Sequence, residues 1–406
     1  MKILHINNYT KRGGAETVFN LTRKNPAATK NYSGYIKTEH NGEKPDIQFF
    51  SWENNNKLIG SINYIFSYKN YKALYKFLLN NEIDVVHLQV FYSPISPSIL
   101  LALKRIKKKK PIKIIETLHG YHLICPNVSL FNYSKSRICE KCIGKKIKLY
   151  ILKDNCDGRG YIYSLLKGIR NLISLNIIGH KKIVDHFIAP SEFLKNKLIE
   201  DGVEEKKTIV LRNPVTSLSG PIGREKENII CYFGRFSREK NLEFLVKAFL
   251  KWKSLTKTDF KLLLIGDGEE KDTIKSIIKD KATNNDIILR DFMSYDDLMK
   301  EVTPAKFFAL TSKCYENFPV SIAEAISLNI IPIVPSLGGM RESVAIYFKV
   351  GGIYEAEDYD SWISTINYLV KNYEKEIKKI LNIKKNLFNE LSPATYLNRV
   401  CTLYKN

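Results

Sequence analysis

Residues 228–249 read NIICYFGRFSREKNLEFLVKAF. The apolar run NIICYF stops at Gly234, a charged turn follows from Arg235 to Lys240, and a helical pattern begins at Leu242. That is a strand, a turn and a helix in succession. The theme returns downstream in FKLLLIGDG, DIILRDF, AKFFALTS and IIPIVPS, with helical patterns between them. Upstream, KILHINN, IDVVHLQ, PIKIIETLH and DHFIAPS are apolar runs ending in polar residues, separated by helical stretches such as YKNYKALYKFLLNN and SEFLKNKLIEDG. Strands alternating with helices predict α/β architecture on a mostly parallel sheet.

The chain has 406 residues, more than the roughly 250–300 that one hydrophobic core serves. Two doubly wound, Rossmann-like halves are therefore expected. Ligands of such sheets bind beyond the carboxyl ends of the strands, and a cleft between the halves is the expected site. An Asn-Pro in TIVLRNPV and the turn-rich TSLSGPIG place the junction at Asn213 to Gly223. The expected domains are 1–213 and 214–391. Residues 392–406 read as a terminal helix, with a return to the first domain as one arrangement.

Lys and Arg number 64 against 42 Asp and Glu, a net charge of +22. This favours anionic partners, although a chain rich in Lys, Ile and Asn carries much of that charge through composition alone. The run KRIKKKKPIK, Lys104 to Lys113, suits either an anionic membrane surface or a solvated helix end. The stretch YSLLKGIRNLISLNIIGHKKIVDHF reads as a helix packed in the first domain, with a membrane-surface helix as the alternative. No apolar run reaches the roughly 18 residues of a bilayer span, and the N-terminus lacks a secretory pattern. The expected location is the cytoplasm, with peripheral association at the inner face of the membrane. Helix-turn-helix, zinc-finger and RNA-reading signatures are missing, so nucleic acid is not an expected partner.

Seven cysteines, an odd number, argue against a disulfide framework. Four lie close together as C-x13-C-x2-C-x13-C: Cys125, Cys139, Cys142 and Cys156. Their thiolates suit a tetrahedral structural zinc; packed thiols are the alternative. Cys231, Cys314 and Cys401 stand alone.

The chemistry concentrates in TSKCYENFPVSIAEAISLN. Thr311 and Ser312 end a strand, and Pro319 suits the first turn of the next helix. The unpaired amides of that helix start favour a diphosphate. Glu316 before the helix and Glu324 inside it are spaced to accept hydrogen bonds from hydroxyls on either side of a bound phosphate. Asp358 and Asp360 in EDYDSW form an Asp-x-Asp pair, but their place at a helix start reads as capping rather than as a metal site.

ENFPVSIAE resembles the Glu-x7-Glu motif of retaining family 4 glycosyltransferases, which have the GT-B fold of two Rossmann-like domains facing across a cleft. YFGRFSREKNLEFLVKAF resembles the segment that supplies an Arg and a Lys to the donor diphosphate, here Arg235 and Lys240. LLLIGDGEEKD resembles the element preceding the nucleobase region, where Arg290 and Phe292 follow the next strand. PSLGGMRES resembles the Gly-Gly turn below the donor phosphate, here Gly338 and Gly339. GGAET matches the loop at which backbone approaches the donor, here Gly13 and Gly14. TLHGYHLICP resembles the segment whose first His, here His119, sits by the reacting carbon. Two departures stand out: Asn241 follows Lys240 where relatives have Gly, and Asn317 stands where relatives often have Gly.

The resemblance implies transfer, with retention, of a sugar from a nucleotide-sugar donor to a growing surface polysaccharide or lipid-linked glycan. It implies catalytic roles for Glu316, His119, Arg235 and Lys240. Donor contacts fall to Gly13, Gly14, Asn317, Phe318, Glu324, Gly338 and Gly339 as well, with no metal required for catalysis. A nucleotide-sugar epimerase or hydrolase on the same fold is the competing enzyme class; a basic nucleic-acid-binding protein is the competing non-enzyme.

Overall fold

The computed structural model describes residues 1–11, 13–38, 43–215, 225–281 and 286–405. Residues 216–223 of the expected junction lie outside these. The chain divides into two compact units, Met1–Pro214 with Pro393–Asn406, and Val215–Ser392.

The first unit is built on nine strands: β1 (Lys2–Ile6), β2 (Lys30–Ile36), β3 (Ile47–Phe49), β4 (Val85–Leu88), β5 (Lys113–Thr117), β6 (Phe131–Asn132), β7 (Arg137–Ile138), β8 (His186–Ala189) and β9 (Thr208–Val210). Seven of them form one parallel sheet in the order β3-β2-β1-β4-β5-β8-β9, and β6 and β7 make a separate antiparallel hairpin. The second unit has β10 (Glu227–Phe233), β11 (Lys261–Ile265), β12 (Ile287–Arg290), β13 (Ala305–Ala309), β14 (Ile331–Pro335) and β15 (Gly352–Tyr354). They form one parallel sheet in the order β12-β11-β10-β13-β14-β15.

Parallel strands covered by helices on both faces need apolar side chains in both directions. The sequence supplies them: every residue of β4 and of β14 is buried. In each sheet the strand order reverses once, between β1 and β4 and between β10 and β13. Loops diverge at such a point and leave a crevice at the carboxyl ends of the strands.

The final helix, Pro393–Lys405, belongs to the first unit. Tyr396, Val400 and Tyr404 pack against Ile3, Val85, Ile115 and Ile188. The Tyr404 hydroxyl lies 2.7 Å from His87 Nδ1, and Thr117 Oγ1 lies 2.8 Å from His87 Nε2. Burial holds His87 well below the usual imidazole pKa, so the ring is neutral and both nitrogens are satisfied by hydroxyls.

Two ambiguous stretches resolve into mixed roles. The lysine run closes the helix Ser98–Lys107, but Lys104 and Lys110 donate to the Ile178 and Asn81 carbonyls, and Lys107 pairs with Asp185. Those three therefore fasten neighbouring backbone rather than standing free in solvent. The stretch after Gly160 forms a helix, Tyr161–Leu172, a π-helical turn, Ile173–Ile178, and a last turn, His180–Ile183. Its inner face is anchored by Arg170, whose guanidinium lies 4.3 Å from the ring centres of both Tyr64 and Tyr92. Tyr161, Ile162 and Leu165 remain exposed. Asp358 caps the helix Tyr359–Lys371 by accepting from the Asp360 and Ser361 amides, as the capping reading expects.

Tyr404→Phe would leave one nitrogen of the fully buried His87 without a partner. We expect a loss of about 1–3 kcal/mol in denaturant unfolding, with little change on Tyr404→Phe if the contact is dispensable.

Candidate active site

In the second unit Arg235, Lys240 and Glu316 lie just beyond the carboxyl ends of β10 and β13, the two strands at the reversal of order. Arg235 follows β10, and Lys240 ends the short turn Arg238–Lys240 that leads into the helix Leu242–Thr256. Glu316 lies in the loop between β13 and the helix Val320–Ser327. Pro319 is the N-cap of that helix rather than a member of its first turn.

Lys240 Nζ donates to Glu316 Oε1 at 2.9 Å, and the Ser312 hydroxyl donates to the same oxygen. Burial works against the charge on each, but each partner outweighs it: the Lys240 pKa is raised and the Glu316 pKa lowered. Both side chains are mostly covered, and they stand as a charged pair at neutral pH. Arg235 is the exposed cation of the group, its side chain 71% accessible, with Glu239 Oε1 3.5 Å from its Nη2. Thr311 Oγ1 donates to the Lys240 carbonyl and the Lys313 amide to the Glu239 carbonyl, so the two loops are tied along their backbones.

Asn241, where the resemblance expects Gly, sits at φ 54 and ψ 46, the left-handed region that Asn tolerates better than most residues. That departure is accommodated. Asn317 keeps its Oδ1 buried with no protein partner, while Phe318 is buried against Tyr347 and Phe348.

Glu324 lies on the helix one turn beyond its start. Burial lifts its carboxyl to about 7, offset in part by the neighbouring Tyr295 hydroxyl. Arg290 pairs with Glu301, and Phe292 just beyond β12 is 80% exposed.

Gly338 and Gly339 have a positional role that the motif alone did not reveal. Gly338 has φ +47, and a Cβ on Gly339 would lie 1.5 Å from the Asn317 carbonyl oxygen. The Gly339 amide donates to the Glu316 carbonyl at 2.8 Å. The Gly-Gly turn thus holds the Glu316–Asn317 loop by direct backbone contact. A second close approach joins the loops after β10 and β11. A Cβ at Gly266 would meet the Gly234 carbonyl oxygen at 1.9 Å, and one at Gly268 would meet the Phe236 oxygen at 2.3 Å. Those glycines were visible in the sequence as punctuation; that they face each other is a tertiary fact.

In the first unit the residues also gather at carboxyl ends. Gly13 precedes the helix Gly14–Thr22 after β1 with extended backbone, and a Cβ on Gly14 would meet nothing within 4 Å. His119 follows β5, and its Nε2 lies 3.0 Å from Gln89 Oε1, just beyond β4. Burial, reinforced by His122, lowers the imidazole to about 4. It is neutral near pH 7, and the amide oxygen places its proton on Nε2. Gln89 is itself fixed, donating to Thr22 Oγ1 at 2.9 Å. Sequence reasoning missed Gln89, because only the pairing of β1, β4 and β5 brings it beside His119.

It also missed a fully buried network under that loop. Glu116 accepts from His122 Nε2 and His180 Nε2, each at 2.7 Å. Burial opposes the charge on Glu116, but the two imidazoles hold its carboxyl at about 2. Among the described residues, this trio is the one group of three His, Cys, Asp or Glu whose ligand atoms all lie within 4.8 Å of one another. Both carboxylate oxygens are taken up at hydrogen-bond length, so the trio serves as an internal brace for the segment from His119 to His122.

Two parallel sheets with polar residues collected at the carboxyl ends of their strands define a two-domain, doubly wound α/β protein. Comparison with known proteins identifies the class further. A family model described as glycosyl transferases group 1 matches residues 219–386, and one described as glycosyltransferase family 4 matches residues 55–217. An uncharacterised protein of the cps region of Klebsiella pneumoniae is 25% identical over 85% of this chain and 83% of its own length. A lipopolysaccharide 1,6-galactosyltransferase of Escherichia coli is 25% identical over 50% of this chain, which thereby spans 59% of that enzyme. The crystal structure of HepE from Anabaena in complex with UDP superposes with a TM-score of 0.68, at 16% identity, covering 100% of each chain. The chain is a glycosyltransferase with a family 4 domain followed by a group 1 domain, on the GT-B fold.

Gly339→Ala forces a methyl group onto the Asn317 carbonyl. We expect a cost of about 1–3 kcal/mol and loss of the Lys240–Glu316 contact, read by thermal unfolding and by a crystal structure of the variant.

Proposed function

We propose that this glycosyltransferase moves a sugar, with retention of anomeric configuration, from a nucleotide-sugar donor to a growing surface polysaccharide or its lipid-linked precursor. The observation that carries the reading is the Lys240–Glu316 pair beside Arg235 at the strand reversal of the second sheet. Two cations and a carboxylate at one point match the needs of a sugar diphosphate. The HepE structures, which hold UDP or UDP-glucose on a similar fold, support a nucleotide-sugar donor. The lipopolysaccharide enzyme and the cps-region protein support the acceptor class.

In this mechanism Arg235, Lys240 and the amides at the start of the helix Val320–Ser327 take up the negative charge that develops on the departing diphosphate. Glu316 accepts from hydroxyls of the transferred sugar. The donor diphosphate draws Lys240 towards itself, and the sugar hydroxyls replace the ammonium as partners of the carboxylate. Glu324 accepts from the ribose hydroxyls, and Phe292 offers a ring face to the base. The retaining course proposed is front-face attack, in which the leaving phosphate accepts the proton of the acceptor hydroxyl as the new glycosidic bond forms. No carboxylate nucleophile is then needed on the opposite face. His119, neutral and donating from Nε2 to Gln89, keeps Nδ1 as an acceptor for a sugar hydroxyl. Gln89 acts as a positioning residue through His119. Gly13 and Gly14 leave room for backbone approach to the donor, and protein cations carry the phosphate charge without a metal.

An anionic membrane surface is the proposed place of work. No helix among the described residues is long and apolar enough to cross a membrane. The helices Lys57–Ile65 and Tyr161–Leu172 pack together and expose Leu58, Ile62, Tyr161 and Ile162. A cavity of about 830 Å³ elsewhere in the first unit is lined by Lys108, Lys145, Lys146 and Lys182 among others. The exposed apolar side chains suit a headgroup interface, and the lysines, at their separate place, suit anionic headgroups.

The donor is tested by thermal protection with UDP, GDP and ADP sugars, since a ligand stabilises the form that binds it. One nucleotide series should raise the melting temperature, and Lys240→Ala should abolish that rise. With the donor and acceptor in hand, Lys240→Ala or Glu316→Ala should lower the transfer rate by about 10²–10³. Full activity in Glu316→Ala removes it from the site, and NMR of the product anomer decides retention against inversion.

Glu324 sets a pH dependence. Its carboxyl is protonated below about 7 and ionised above, and a carboxylate is the stronger acceptor for ribose hydroxyls. Affinity for the protecting nucleotide should rise between about pH 6 and about pH 8, and Glu324→Gln should flatten that rise in a calorimetric titration.

A further inference from the structure

The segment between β5 and the helix Tyr161–Leu172 is long and has little regular structure: the two-residue strands β6 and β7 and the single turn Tyr150–Lys153. Loops of this length inside a compact domain need something to hold them. All four cysteines of the C-x13-C-x2-C-x13-C pattern lie in it; the backbone ties Cys139 and Cys156 to the β6–β7 hairpin, and Cys125 and Cys142 sit in local turns. The Cys139 amide donates to the Leu130 carbonyl at 2.8 Å, directly across the base of the hairpin. The Cys156 carbonyl accepts from the Tyr133 amide at 2.9 Å and from Asn127 Nδ2 at 3.0 Å. Asn132 Nδ2 lies 3.5 Å from Cys156 Sγ. The Cys125 carbonyl accepts from the Val128 amide at 2.9 Å, and the Cys142 carbonyl from the Lys145 amide at 3.2 Å.

The turn after Cys125 is strained in an informative way. Val128 and Leu130 have φ +62 and +51, backbone conformations unfavourable for these side chains. Cys125, Cys142 and Cys156 are buried, and every one of the six pairs among the four thiols is near enough to influence ionisation.

We propose that Cys125, Cys139, Cys142 and Cys156 bind one structural Zn²⁺ through four thiolates, cross-linking the segment that follows His119. Four soft sulfur donors, two of them from a C-x2-C turn, select zinc in a closed tetrahedral site. The sulfurs are farther apart here than in a closed site, since no three of them come within 4.8 Å of one another. Metal binding would draw the four sulfurs together, with cysteine side-chain rotation as one contribution. The site is remote in role from transfer chemistry: it fixes the fold of the loop region and offers no open coordination position.

The test uses the full chain purified without chelator. Elemental analysis should find zinc equimolar with protein, and Cys142→Ser or Cys156→Ser should lose it, whereas Cys231→Ala, at an isolated buried thiol, should keep it. Should the serine variants fail to fold, the unaltered chain exchanged with Co²⁺ decides. Thiolate-to-cobalt charge-transfer bands with intense tetrahedral d–d bands support the site. The proposal is overturned if chain saturated with Zn²⁺ retains none on dialysis. It is equally overturned if the cobalt spectrum lacks thiolate charge transfer, or if the purified metal is iron.

Discussion

The contact between Lys240 and Glu316 is the interaction around which the second unit is arranged. Each group is too buried to hold a charge comfortably by itself, and each is charged because the other is there. Removing one partner from such a pair leaves an uncompensated ion in a poorly solvated place, a cost well above that of an exposed pair. The pair also spans the reversal of strand order, since Lys240 follows β10 and Glu316 follows β13. A parallel sheet delivers the residue after every strand to the same end. The charge pair thus bridges the loops that diverge there.

Glycine decides whether those loops can reach each other. The chain brings Gly339 against the Asn317 carbonyl, Gly266 against the Gly234 carbonyl and Gly268 against the Phe236 carbonyl, distances at which no side chain fits. The second unit thus spends its glycines on backbone-to-backbone packing beside the charged residues. The first unit takes another route. There Thr22, Gln89 and His119 form a hydrogen-bonded chain, and a buried carboxylate between two imidazoles braces the backbone beneath His119. One unit positions its polar groups through contact of main chains, the other through relays of side chains.

The basic character of the chain divides along similar lines. Lys104, Lys107 and Lys110 serve carbonyls and a carboxylate of their own unit, and Lys226 donates to three carbonyls in the second. A high count of lysines therefore does not translate directly into a charged surface, because a long ammonium side chain is also a convenient donor for orphaned carbonyls.

Much of this was legible in the amino-acid order. The βα alternation, the two-part organisation, the helix cap at Asp358 and the places of Arg235, Lys240 and Glu316 just beyond strands rest on local patterns: short apolar runs, turn residues and fixed spacings. Such patterns determine which elements form and which residues stand at their carboxyl ends, because strand and helix periodicity are properties of neighbouring residues. Only the tertiary structure decided that Gln89 holds His119, that Glu116 lies between His122 and His180, that Tyr404 reaches His87, and that the Gly338–Gly339 turn grips the Glu316 loop. Apart from Glu116 and His122, six positions apart, those partners are separated by tens to hundreds of positions, and strand order, which brings them together, is set by packing between elements that no local pattern encodes.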